Sequence, residues 1–142
     1  MPILETDAEI DALLARTHRV AVLGIKTAAH AEQPAYYVPA YAQRAGMTII
    51  PVPVYFPEAT EILGEPVVRR VAAISPPADL VNVFRRSKDV AAHLPDLLAA
   101  RPRAVWMQLG IRDDHVAAQL AAAGIDVVQD RCLLVELERV GR

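Results

Sequence analysis

Few of the residues capable of covalent chemistry are spaced to perform it together. His18, His30, His93 and His115 are scattered, with no metal-ligand spacing among themselves or with Cys132. There is no nucleophile elbow and no lysine set in a phosphate-binding P-loop. The expectation is therefore no catalytic or metal site, with enzymatic activity left open and the balance against it. Asp130-Arg131-Cys132 is the one reactive triplet. An adjacent arginine favours a thiolate, whereas a cysteine at a strand end also serves as a small core residue. Arg85-Arg86 follows an apolar run. Two guanidinium groups there could reach a phosphate, or form a surface pair beside Asp89. Lys26 raises the same question in an earlier loop.

The elements that must position these residues begin with Val20–Leu23, an apolar run that stops at Gly24. Four apolar residues without alternation read as a strand buried on both faces. Pro34 suits the first turn of a helix over Ala35–Ala45, closed by Gly46. A second strand, Thr48–Val52, completes a βαβ unit whose loop amides and helix N-terminus face the strand ends, where phosphate binds well. Before it, Thr6 and Glu9 have capping-box spacing and predict a leading helix over residues 7–16.

Downstream, Ile62-Leu63-Gly64 reads as a turn and Pro66–Arg70 as a short strand. Leu80–Phe84 is a strand, followed by a helix from Ser87 to about Ala100 that Pro95 should kink. Ala104–Leu109 is a strand, Asp113 or Asp114 opens a helix to Ala123, and Ile125–Val128 is a strand. Leu133–Val140 fits helix or strand equally. The alternation predicts a single α/β domain, a Rossmann-like, doubly wound, mostly parallel sheet of five to six strands.

In such a sheet the strand-end loops lie along one edge and ligands bind where the strand order switches. A single Gly24 falls short of the G-x-G-x-x-G dinucleotide fingerprint. The second strand ends in Ile49-Ile50-Pro51-Val52-Pro53, without the acid that would hold a ribose diol in an NAD site. That proline-walled end suits an adenine face better. Val54-Tyr55-Phe56 reads either as a dimer surface or as a cover over the ligand.

The 142 residues suit one domain, and a net charge of −2 gives no electrostatic case for nucleic acid or an anionic membrane. No apolar run approaches the ~20 residues of a membrane span, and the start of the chain lacks a basic-then-apolar signal pattern. With one cysteine and hence no internal disulfide, a cytoplasmic protein is expected, monomeric or homodimeric.

VAVLGIK (20–26), Tyr37-Val38-Pro39, IIPVPV (49–54), ILGE (62–65), ADLVNVFR (78–85), AVWMQLGI (104–111) and AGIDVVQDRC (123–132) occur in this order. As an ordered set they resemble the small stand-alone CoA-binding proteins, which are similar to the CoA-binding domain of the succinyl-CoA synthetase α subunit. The resemblance covers about residues 7–138. It implies coenzyme A or an acyl-CoA as ligand along the strand-end edge. It also implies that Gly24, Ile25 and Lys26 surround the phosphates, that Pro51, Val52, Pro53 and Val54 wall the adenine, and that Phe84, Arg85 and Arg86 follow the ligand. Tyr37 belongs to the matching positions; Gln108 and Gly110 would lie near the thiol arm, and Arg131 and Cys132 match a strand-end triplet. The family's Pro-Val-Asn-Pro after the second strand and its small residues after the first glycine are replaced here by Pro-Val-Pro-Val and Ile25-Lys26. The expected role is a carrier, sensor or accessory domain. The alternative is an NAD(P)-binding or CoA-ligase-related component that needs a partner subunit.

Overall fold

A computed structural model describes residues 2–142. The chain enters through helix α1 (Asp7–Ala15), whose capping box forms as its spacing requires. The Glu9 backbone N–H donates to Thr6 Oγ1 at 3.2 Å, and the Thr6 N–H donates to Glu9 Oε1 at 3.0 Å. Next come strand β1 (Arg19–Leu23), helix α2 (Pro34–Arg44) and strand β2 (Thr48–Val52), the expected βαβ unit. A short 3-10 turn, Ala28–His30, occupies the loop between β1 and α2.

Two-residue strands β3 (Glu61–Ile62) and β4 (Glu65–Pro66) then form a hairpin. Leu63 and Gly64 both have positive φ at its turn, the combination that a tight hairpin favours. The strand expected over Pro66–Arg70 is corrected: beyond Pro66 no strand continues, although Val67 N–H donates to the Thr60 carbonyl at 3.0 Å and Val68 N–H to the Pro51 carbonyl at 2.9 Å, and a 3-10 turn follows at Val71–Ala73. Strand β5 (Leu80–Val83) is followed by a broken helix: α3 (Ser87–Val90), a 3-10 turn at Ala91–His93, and α4 (Leu94–Ala100). Pro95 therefore lies in the first turn of a new helix, where a missing N–H costs nothing, rather than at a kink inside one continuous helix. Strand β6 (Ala104–Met107), helix α5 (Asp114–Ala122), strand β7 (Asp126–Val128) and helix α6 (Leu133–Arg139) complete the chain. The ambiguous tail is thus helical, and β6 ends two residues earlier than the apolar run suggested.

The main sheet has five parallel strands in the order β2-β1-β5-β6-β7. Pro51 is tolerated inside β2 because β2 is an edge strand, where a missing donor breaks no essential ladder. Residues alternate between two cores. Val20, Val22, Ile49, Leu80 and Trp106 pack against α1, α2 and α6. Ala21, Leu23, Val81, Val83 and Met107 pack against α3, α4 and α5. Both faces are covered, as a parallel sheet requires.

Counted by its own strands, the sheet runs 2-1-3-4-5, so the direction of winding reverses between β1 and β5. The crevice beyond the carboxyl ends of those two strands is the topological switch point.

Candidate functional site

At the switch point the β1 and β5 loops touch. Phe84 N–H extends the ladder to the Leu23 carbonyl at 2.8 Å, and Gly24 N–H reaches the Val52 carbonyl at 2.9 Å on the other side. Gly24 has φ +90, and a Cβ placed there would collide with the Phe84 carbonyl oxygen. The glycine is thus required by the close approach of two strand-end loops, as well as by its own backbone angle. Arg85 lies against it, its Cδ 3.4 Å from where that Cβ would stand.

These two loops each carry a cation, and both cations rest on neutral partners. Lys26 Nζ donates to the Gln33 side-chain oxygen. Gln33 is the residue preceding α2, so the ammonium sits over the start of that helix. Arg85 Nε donates to His93 Nε2 at 3.1 Å, and its Nη1 lies 3.5 Å from the Tyr55 hydroxyl. The Arg85 guanidinium also lies 5.6 Å from the centre of the Tyr55 ring, within cation–π range. Among the described residues neither Lys26 nor Arg85 forms an ion pair. Burial, and then the charge of Arg85, holds His93 below the usual imidazole range. The hydrogen bond and charge of Arg85 likewise lower the Tyr55 phenol. Arg86 behaves differently: it is exposed and pairs with Asp89 at 3.1 Å. Of the two readings of the arginine pair, the surface pair fits Arg86 and the crevice cation fits Arg85.

The loop after β2 closes one side of the crevice. Pro51 and Val52 end β2 and Pro53 opens the loop; all three are buried, Val52 within the core, and half-buried Val54 continues the apolar stretch, so the expected Val52 side chain, like that of Ile25, does not face the edge. Beyond Val54, Tyr55 reaches Arg85 of the β5 loop, and the Phe56 ring lies 5.5 Å from that of His30 in the β1 loop. Phe56 has φ +62, unusual for a non-glycine residue. Arg69 anchors the turn by donating to the Phe56, Pro57 and Ala59 carbonyls at 3.0, 3.1 and 2.7 Å.

Other expected site residues fall elsewhere. The Ile25 side chain is buried in the core, so only its backbone faces the edge. Tyr37 sits one turn into α2, is exposed, and makes no hydrogen bond through its side chain among the described residues. Gln108 is buried: its Oε1 accepts from Asn82 Nδ2 at 3.3 Å and from the Leu133 backbone N–H at 3.2 Å. It ties β5, β6 and α6 together. Gly110 N–H donates to Asp130 Oδ1 at 2.7 Å. Arg131 donates to the Glu5 carbonyl at 2.6 Å and pairs with Asp7 at 3.4 Å and Glu136 at 3.6 Å. Cys132 is half-buried at the start of α6 and packs against the core, which favours the small-core-residue reading. A cavity of about 400 Å³ at this end of the edge is lined by Glu5, Arg112, Asp114 and Arg131 among others, charges that largely compensate one another.

Sequence reasoning missed His93 and Tyr55 as members of the crevice. His93 comes eight residues after Arg85 and reaches it from the 3-10 turn, so no helical or strand spacing advertises the contact. Tyr55 had a signal in its apolar loop, which offered a cover over the ligand as one of two readings.

Residues 18–138 match the model of a family described as CoA binding domain. An uncharacterized protein, YneT of Bacillus subtilis (strain 168), is 33% identical over 128 residues, covering 90% of this chain and 91% of YneT. The structure of cell-free ID.343 from Thermus thermophilus superposes with a TM-score of 0.86 at 38% identity, covering 96% of this chain and 99% of that one. A dinucleotide-forming acetyl-coenzyme A synthetase of Ca. Korarchaeum cryptofilum shares the fold, with a TM-score of 0.64 at 14% identity over 77% of this chain and 25% of the synthetase.

Proposed function

Since the chain belongs to the CoA-binding domain family, we propose that it binds coenzyme A or an acyl-CoA across the β1/β5 switch point, as a carrier or sensor of that ligand. One observation carries the reading: Arg85, packed against Gly24 at the switch point, and Lys26, two residues after it in the same loop, spend their charge on neutral acceptors. A cation without a carboxylate partner retains most of its attraction for a phosphate, and a guanidinium is suited to bidentate capture. The backbone of Gly24–Lys26 and the two cations hold the pyrophosphate. Pro51, Pro53 and Val54 face the adenine, with Val52 in the core behind them, a contact that asks for apolar surface rather than a ribose-binding acid. Phe84 and the Tyr55 ring line the path of the pantetheine arm.

Calorimetric titration of the protein with CoA, acetyl-CoA, NAD and NADPH tests this reading. Saturable heat with CoA and none with the dinucleotides is the expected result. Binding of NAD or NADPH without binding of CoA would overturn it.

A further inference from the structure

Arg85 is held in the crevice by an imidazole. The break between α3 and α4 puts His93 on a 3-10 turn, and from there its Nε2 accepts the Arg85 Nε–H at 3.1 Å. An arginine has no lone pair to offer, so this contact requires Nε2 unprotonated, with the ring proton on Nδ1. A guanidinium carries five N–H donors. Here one is spent on His93 and a second lies 3.5 Å from the Tyr55 hydroxyl, leaving the other three without a partner among the described residues, on a side chain whose Cδ packs against Gly24. We propose that His93 is the positioning residue that fixes Arg85 for the ligand's phosphate, and that protonation of His93 releases Arg85 and weakens ligand binding. The inference rests on the reading that Arg85 meets a phosphate of the ligand.

The surroundings of His93 favour the neutral ring. Partial burial penalises the imidazolium, and the Arg85 charge adds to that penalty. Two carboxylates oppose it, Asp89 on α3 and Asp96 on α4. Asp89 pairs with Arg86 at 3.1 Å, and Asp96 accepts the Val71 and Ala72 backbone N–H groups at 2.8 and 2.9 Å. Neither is a hydrogen-bond partner of the imidazole among the described residues. Once protonated, the ring can only donate, and two cations would face each other across the 3.1 Å contact. An imidazolium behind the guanidinium adds some attraction for an anion, but across solvent-screened distance. The group that loses its geometry is the one in contact.

Two readouts test this. The first is the NMR signal of the Arg85 Nε–H followed from pH 8 to pH 5 without ligand. In the wild type it should shift with the His93 ring titration, whose midpoint should lie below the ordinary 6.5. In His93→Gln, whose amide oxygen accepts but does not titrate, that shift should vanish. The second is CoA affinity over the same range. Wild type should lose roughly tenfold more than His93→Gln on acidification, the titration of the ligand's own phosphates being common to both. At pH 8 His93→Leu, which offers no acceptor, should bind roughly tenfold more weakly than His93→Gln. His93→Asn replaces His93→Gln if the latter does not fold. An Nε–H signal indifferent to the His93 titration would overturn the proposal, as would parallel pH profiles for wild type and His93→Gln. If wild type binds no CoA at any pH, the ligand reading fails and the ligand-free signal still decides whether His93 controls Arg85.

Discussion

The two ends of the strand-end edge carry similar residues and use them in opposite ways. At the β1/β5 end, Lys26 and Arg85 lean on an amide, an imidazole and a phenol. At the β7 end, Arg131 is bound by Asp7, Glu136 and the Glu5 carbonyl; at the far end of α6, Arg139 is bound by Asp11 at 2.6 Å and Glu136 at 2.9 Å. Charge at the β7 end fastens the N-terminal segment, α1 and α6 to the sheet. Charge at the switch point has been left available. A basic residue in a loop therefore says little about ligand binding until its partners are known, and a neutral partner is the informative one.

Breaking the approach of the two loops should have the largest effect. Gly24→Ala adds a Cβ against the Phe84 carbonyl at a backbone angle that L-residues avoid. It should cost on the order of 3 kcal/mol in urea denaturation and remove measurable CoA binding. Arg85→Ala should separate binding from stability. It should weaken CoA roughly 10- to 100-fold by calorimetry, the worth of a charge-assisted contact, with unfolding free energy changed by less than about 1 kcal/mol. Dephospho-CoA should lose as much if Arg85 meets the pyrophosphate as proposed, since that ligand keeps the pyrophosphate and lacks only the 3′-phosphate. Arg131→Ala should invert that pattern, lowering stability by about 1 kcal/mol while CoA affinity stays within roughly threefold. The loss is modest because buried Glu136 keeps Arg139. Tyr55→Phe keeps the ring over Arg85 and removes only a hydroxyl at 3.5 Å, so affinity should change by less than about twofold.

The sheet was legible because its strands are buried on both faces and therefore appear as largely apolar runs, with Asn82 the polar exception inside β5. Thr6 and Glu9 announced α1 for an equally local reason, a cap whose two hydrogen bonds span three residues. The last helix was not legible. In Leu133–Arg139 Val135 is exposed, 53% accessible, and Glu136 is buried, 8% accessible, so hydropathy points the wrong way at both. Glu136 is tolerated inside because Arg139 and Arg131 neutralise it, a compensation that needs the fold to be seen. The site divides along the same line. Gly24, Lys26 and Arg85 could be picked out as residues following apolar strands. Their separation from Arg86 and Arg131 could not, because it depends on which carboxylates the fold delivers to each. The contact of His93 with Arg85 follows from a 3-10 turn that no periodicity encodes.

Amide chemical-shift mapping on the labelled wild-type protein, with CoA added to saturation, tests whether the ligand lies at the β1/β5 switch point. The largest changes should fall on residues 24–26, 52, 54–56 and 84–85, with 129–133 little moved. Largest changes around Glu5, Arg112, Asp130 and Arg131 would contradict this placement and move the ligand to the cavity at the β7 end.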